Sequence, residues 1–183
     1  MEEPDEVLQH EHEAILLLAG AVEGMAERIR TTGKVPEADL RQALEVIAAF
    51  ADRCHHGKEE AVLFPALARA SPEGAELTRR LTSDHKAMRK LVGTVRDLLP
   101  GASENDESRG QLAKNLATYP RLLREHIRIE DDRLMAETRR SLSPEERARV
   151  AREFERVERE EMGPGEHERY HDLIHGLADR YAP

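Results

Sequence analysis

Apolar residues recur at alternating intervals of four and three along most of this chain, the spacing of a buried stripe on an α-helix. The first stripe is Leu8, His12, Ile15, Ala19, Val22, Ala26 and Ile29, which predicts a helix over about residues 5–30, stopped at Thr31-Thr32-Gly33. The second is Leu44, Ala48, Ala51, His55, Glu59, Val62 and Ala66. Its helix starts near Pro36, a favourable first-turn residue, and runs to about residue 70, with Pro65 expected to kink its last turns. Ser71 is the expected N-cap of a third helix with the stripe Leu77, Leu81, His85, Met88, Val92, Val95 and Leu99. Residues 100–106 read as a loop. A fourth helix over about residues 108–140 carries Leu112, Leu116, Tyr119, Leu123, His126, Glu130 and Leu134, with a bend expected at Pro120. Ser143-Pro144-Glu145-Glu146 is a capping box opening a shorter helix that ends near Met162–Gly165. A last helix covers about residues 166–180.

Long amphipathic helices joined by short links predict an all-α protein, an antiparallel up-and-down four-helix bundle with two additional shorter C-terminal helices. The expected division is a bundle over residues 1–141 and a helical extension over residues 142–183 packing on it.

Each of the four long stripes is broken by a histidine: His12, His55, His85 and His126. Two of these carry a glutamate one turn later, His55–Glu59 and His126–Glu130, on the same helix face. Burying such groups without partners is costly, and buried charges are normally paired or bound to metal. At about 1.5 Å of rise per residue, the distance from each histidine to its helix end is close to that on the neighbouring helix. In an up-and-down arrangement the four histidines therefore fall in one layer. A weak internal repeat aligns residues 55–64 with residues 126–135, pairing His55 with His126 and Glu59 with Glu130. It favours His55–Glu59 over the adjacent His56–Glu60, which remains the alternative register.

Composition narrows the class. Of 183 residues, 39% are hydrophobic and 36% charged, and the net charge is −9. That balance argues against sequence-independent nucleic-acid binding. No apolar run approaches the roughly 18 residues of a membrane span, and the acidic N-terminus Met1-Glu2-Glu3-Pro4-Asp5 lacks a signal-peptide pattern. The single Cys54 cannot form an intrachain disulfide, and together these features predict a cytoplasmic protein. Cys54 reads as a small packed thiol rather than a ligand.

Imidazole with carboxylate suits borderline divalent metals such as iron, manganese and zinc. Four histidines and two carboxylates in one layer suit two ions, the carboxylates bridging and two imidazoles serving each ion. Six protein ligands on two ions leave positions for a small exogenous ligand such as oxygen or peroxide.

With these motifs the chain resembles the hemerythrin-like (HHE cation-binding) family. The matching elements are Glu11-His12, His55-x-x-x-Glu59, Asp84-His85 and His126-x-x-x-Glu130, with Leu63-Phe64 and Leu134-Met135 after the glutamates. They span about residues 5–140. The resemblance implies a four-helix bundle with two non-haem iron ions and an oxo, hydroxo or water bridge. Glu59 and Glu130 would bridge, His12 and His55 would serve one iron, and His85 and His126 the other. The family's oxygen carriers have a second histidine one turn from the first on the third helix, where this chain has Leu81 and Arg89. One terminal donor is therefore absent from the expected set. His167, on the apolar stripe His167, Tyr170, Ile174, Leu177 and Tyr181 of the last helix, is the candidate replacement. The carriers' fourth helix also uses an aspartate five residues after its histidine, the place of Asp131, although Glu130 fits the repeat. Tyr119, two turns before His126 on the same stripe, is a candidate hydrogen-bond donor near the metals.

Three functions follow as expectations. The first is a di-iron protein that carries, senses or stores a small ligand such as dioxygen, nitric oxide or iron itself. The second is a di-iron catalase, peroxidase or nitric-oxide-detoxifying enzyme. The third is a metal-free helical interaction module. The sequence does not fix the oligomeric state.

Overall fold

The computed structural model describes residues 2–163 and 165–181. Met1 of the acidic N-terminus and Pro164 of the expected Met162–Gly165 turn lie outside them. Every regular element among the described residues is helical. The helices are α1 (Pro4–Thr32), α2 (37–70), α3 (Pro72–Leu98, with a short 3-10 turn to Gly101), α4 (106–141), α5 (Pro144–Glu161) and α6 (Glu166–Tyr181).

The ends follow local chemistry. Gly33 ends α1 at φ 68°, a left-handed conformation that glycine takes without a Cβ penalty. Ser71 and Asn105 cap α3 and α4 by accepting from the backbone N–H of Gly74 and Ser108. Ser143 and Glu146 close the expected capping box of α5. The start of α4 falls two residues earlier than the periodicity suggests, because Asn105 supplies the cap. Pro36 is the N-cap of α2 rather than its first helical residue. Neither Pro65 nor Pro120 interrupts its helix.

The local winding departs from the sequence expectation. Ile47–His56 and Glu59–Leu63 in α2, and Glu130–Leu134 in α4, are wound as π-helix. Such turns are uncommon and occur often at functional sites.

Helix α1 packs on α2 and α4, and α3 packs on α2 and α4. Helices α5 and α6 lie against α1 and α2. Gly24 of α1 makes the α6 contact possible: a Cβ there would lie 1.8 Å from the carbonyl oxygen of Tyr181. The apolar core is in two parts. The larger cluster gathers Ile15 to Ile29, Leu40 to Cys54, Met88 to Leu99, Leu112 to Ile127, and Tyr170, Ile174 and Leu177 of α6. The smaller one gathers Leu8, Leu63 to Leu67, Leu77, Leu81, Ile129, Leu134 and Met135, with Val150 and Phe154 of α5. On α1, α2 and α3 the stripe histidine lies between the residues given to one cluster and those given to the other. A polar layer thus divides the core, with α6 closing one side and α5 the other.

Candidate metal centre

The layer contains His12, His55, His56, Glu59, His85, His126 and Glu130, each at most 4% exposed. Their donor atoms form two groups within which all lie less than 4.8 Å apart: His12, His55, Glu59 and Glu130, and His56, Glu59, His85 and His126. Glu59 belongs to both. Glu130 also reaches both, with Oε2 3.3 Å from His12 Nε2 and Oε1 2.9 Å from His126 Nε2. The structure therefore brings together all six of the stripe residues expected to act as ligands.

It also brings in His56, which belonged to the alternative register that the internal repeat disfavoured. Successive residues of an α-helix point about 100° apart, so His55 and His56 should not share a face. The π-wound segment closes i→i+5 bonds and narrows that angle. Both imidazoles are buried, and His56 stacks on His85 with ring centres 3.8 Å apart. His167, the expected replacement donor, is elsewhere: its ring lies 5.5 Å from Phe50 and 4.6 Å from His171, in neither donor group.

Four of the five imidazoles are held by a hydrogen bond from outside the layer. Nδ1 of His12 donates to Asp131 at 2.8 Å, that of His55 to Glu11 at 2.9 Å, that of His56 to Asp52 at 3.2 Å and that of His85 to Glu60 at 2.6 Å. Nδ1 of His126 faces Asp84 at 3.7 Å. A carboxylate on Nδ1 fixes the tautomer in which Nε2 carries the free lone pair, the arrangement that supports histidine as a metal ligand. Arg89, standing where the expected second histidine of the third helix is missing, contacts Asp52 at 2.7 Å and Glu60 at 2.8 Å, tying together the carboxylates behind His56 and His85. The acidic residue of each Glu-His or Asp-His pair serves a neighbouring helix: Glu11 holds His55, and Asp84 faces His126.

In the layer, both oxygens of Glu59, both of Glu130, Nε2 of His12 and Nδ1 of His126 are buried without a hydrogen-bond partner among the described residues. Native structures seldom leave such atoms unpaired unless they hold water or an ion. Burial and the neighbouring Glu130 charge push the Glu59 carboxyl well above its ordinary pKa. Burial opposes the charge of Glu130 too, yet His126 and His12 outweigh it and hold that carboxyl well below the usual range. Burial also disfavours the His12 imidazolium, but Asp131 and Glu130 prevail and hold its pKa up at about 9. Burial, with the positive field of His55 and His126, pushes His56 down to about 4. Two adjacent buried carboxylates cannot both ionise without a compensating cation. The donor set of imidazole Nε2 and carboxylate oxygen suits divalent iron, manganese or zinc.

A third acidic group, Glu11, Cys54 and Glu158, is already neutralised. The fully buried Lys58 ammonium donates to Glu11, and to Glu158 of α5 at 2.7 Å. Burial raises the Glu11 carboxyl, but His55 and Lys58 more than offset it and bring its pKa to about 2. Cys54 is buried, and desolvation pushes its thiol up to about 12, as befits a packing residue. The sequence reading did not anticipate the Lys58 pair, because a lysine between two acidic motifs on a charged helix looks solvated. No helix among the described residues is long and apolar enough to cross a membrane.

The family model for the hemerythrin HHE cation binding domain matches residues 3–138, which include every residue of the layer. A protein of Mycobacterium bovis and two of Mycobacterium tuberculosis, each described only as uncharacterized, are 27% identical over 137 residues, 74% of this chain and 53% of theirs. The chain thus spans about half the length of these curated relatives. No solved structure matches.

Proposed function

We propose, since the chain belongs to the hemerythrin HHE cation-binding domain family, that its divided core holds two non-haem iron ions with a solvent-derived bridge between them. The helices α1 to α4 are read as an antiparallel up-and-down bundle around that centre, with residues 142–183 as an extension packed on it. The ligands in this reading are His12, His55, His85 and His126, with Glu59 and Glu130 shared, and His56 in the place first given to His167. Two iron ions there supply redox chemistry and a binding position for dioxygen, peroxide or nitric oxide.

The observation that carries this reading is the direction of the imidazoles. His12, His55, His56 and His85 are each held by a carboxylate at Nδ1, which leaves Nε2 for the two buried, unpartnered carboxylates. A purely structural cluster would be expected to pair its carboxylates within the protein. Metal analysis with an optical spectrum tests this: about two irons per chain and a spectrum that shifts on adding azide are expected, and a metal-free protein from iron-replete cells would contradict it.

A second reading, a di-iron catalase or peroxidase, is favoured by Tyr119. This buried phenol lines one cleft together with His56, and a proton donor there suits turnover of peroxide. Stopped-flow mixing separates the two. A stable spectrum with dioxygen indicates reversible binding or sensing, and rapid oxygen evolution from hydrogen peroxide indicates catalase chemistry.

A further inference from the structure

A cleft of about 260 Å³ opens between α2 and α3. Its most buried lining residues are His56, Tyr119, Ala51 and Met88, and its rim includes the half-buried Gly93 and the exposed Arg96. Three features make it more than a surface groove. Its floor includes a member of one donor group, His56. The walls between rim and floor are mainly apolar, formed by residues such as Ile47, Ala48 and Val92. The one hydroxyl on the floor, that of Tyr119, belongs to a side chain only 3% exposed, and burial and the nearby Asp52 charge keep it protonated. A buried phenol normally finds a hydrogen-bond partner, and here it faces a cleft that ends at the metal layer. The space far exceeds the single water-sized site that a diatomic needs.

We propose that this cleft is the entry and binding site for a small organic hydroperoxide, its alkyl body against the apolar walls and its oxygen end accepting a hydrogen bond from Tyr119 beside His56. The proposal rests on the di-iron reading above and adds the route and the class of ligand. Gly93 lines the cleft, and a Cβ added there meets nothing within 4 Å, so this position has room for a larger side chain. Gly110 of α4 is a matched control, since a Cβ there also meets nothing within 4 Å and the residue lies at the far end of α4 from His126.

The test uses tert-butanol, the inert alcohol of the same shape as tert-butyl hydroperoxide, and azide as a spectroscopic ligand. Crystals of the full chain soaked in tert-butanol should show the alcohol in the α2–α3 cleft with its oxygen toward Tyr119. In the iron-loaded protein tert-butanol should slow azide association. Gly93→Leu should slow azide by about tenfold or more, with iron content unchanged and no further effect of the alcohol, and Gly110→Leu should behave as wild type. Tyr119→Phe should weaken the alcohol's effect. Azide association at the wild-type rate in iron-loaded Gly93→Leu, or soaked alcohol bound elsewhere, would overturn the proposal. The crystal soak does not depend on iron, so a chain that binds no iron yet holds the alcohol in the cleft would sink the di-iron reading and leave the binding site standing.

Discussion

Helices α2 and α4 carry the same motif and use it differently. In the aligned positions, His55 and His126, Glu59 and Glu130, and Glu60 and Asp131 do equivalent work. The first pair offers imidazoles, the second offers shared carboxylates, and the third holds Nδ1 of a histidine on a facing helix, His85 for Glu60 and His12 for Asp131. The differences lie between these positions. Where α4 has Ile127 and Ile129, both buried in apolar clusters, α2 has His56 and Lys58. The π winding also differs: in α4 it begins at the glutamate, whereas in α2 a first π segment, Ile47–His56, precedes it. One repeat thus supplies a single histidine, and the other supplies two together with a buried ion pair reaching α5. In the proposed centre, then, the donor missing from the third helix comes from the rewound second helix, through His56, rather than from the C-terminal helix.

Substitutions can break or sharpen this contrast. The largest effect is expected at the carboxylate both groups share: Glu59→Ala should reduce iron from about two per chain to near none, whereas Glu130→Ala should spare part of the group containing His56, His85 and His126, as read by metal analysis. Next, His56→Ile, which gives α2 the residue type of α4, should selectively remove one of the two ions. Retention of both with an unchanged spectrum would make His56 a bystander. Third, Glu60→Gln and Asp131→Asn should each weaken metal affinity by about 10–100-fold, the range for lost carboxylate support of a ligand histidine. Similar losses would confirm that the two repeats are equivalent at this position. Fourth, Lys58→Ile removes one partner of a buried pair and leaves the Glu11 carboxylate in the core, which should lower unfolding stability by about 3 kcal/mol in a denaturant titration. The smallest effect is expected for His167→Ala, with iron content and spectrum unchanged, since His167 lies against Phe50 and His171.

Much of this was legible in the sequence because it obeys one period. The seam residues of α1 and α4 are buried throughout, and Gly33, Ser71 and Ser143 mark helix ends by side-chain chemistry that acts within a few residues. The six stripe residues of the candidate centre followed from the same period. His56 did not, because its orientation depends on π winding, which leaves no mark on hydrophobic spacing. In α2, Ala48 and Val62 of the expected stripe are only partly buried while Phe50 and Cys54 are buried, the shift that rewinding produces. Lys58 was illegible for another reason: its partners, Glu11 of α1 and Glu158 of α5, arrive from 47 and 100 residues away and turn a surface-type residue into a buried one. The acidic residues 11, 52, 60, 84 and 131, each beside or one turn from a layer position, are the pattern that would have disclosed the outer support of the histidines.

The central claim is that two ions share Glu59 and that His56 serves one of them. Anomalous diffraction at the iron edge, from crystals of the iron-loaded protein, tests it most directly. The account predicts two peaks, both bonded to Glu59 and Glu130, one ringed by His12 and His55 and the other by His56, His85 and His126. A single peak, or a second ion bound by His167 with His56 turned away, would contradict it.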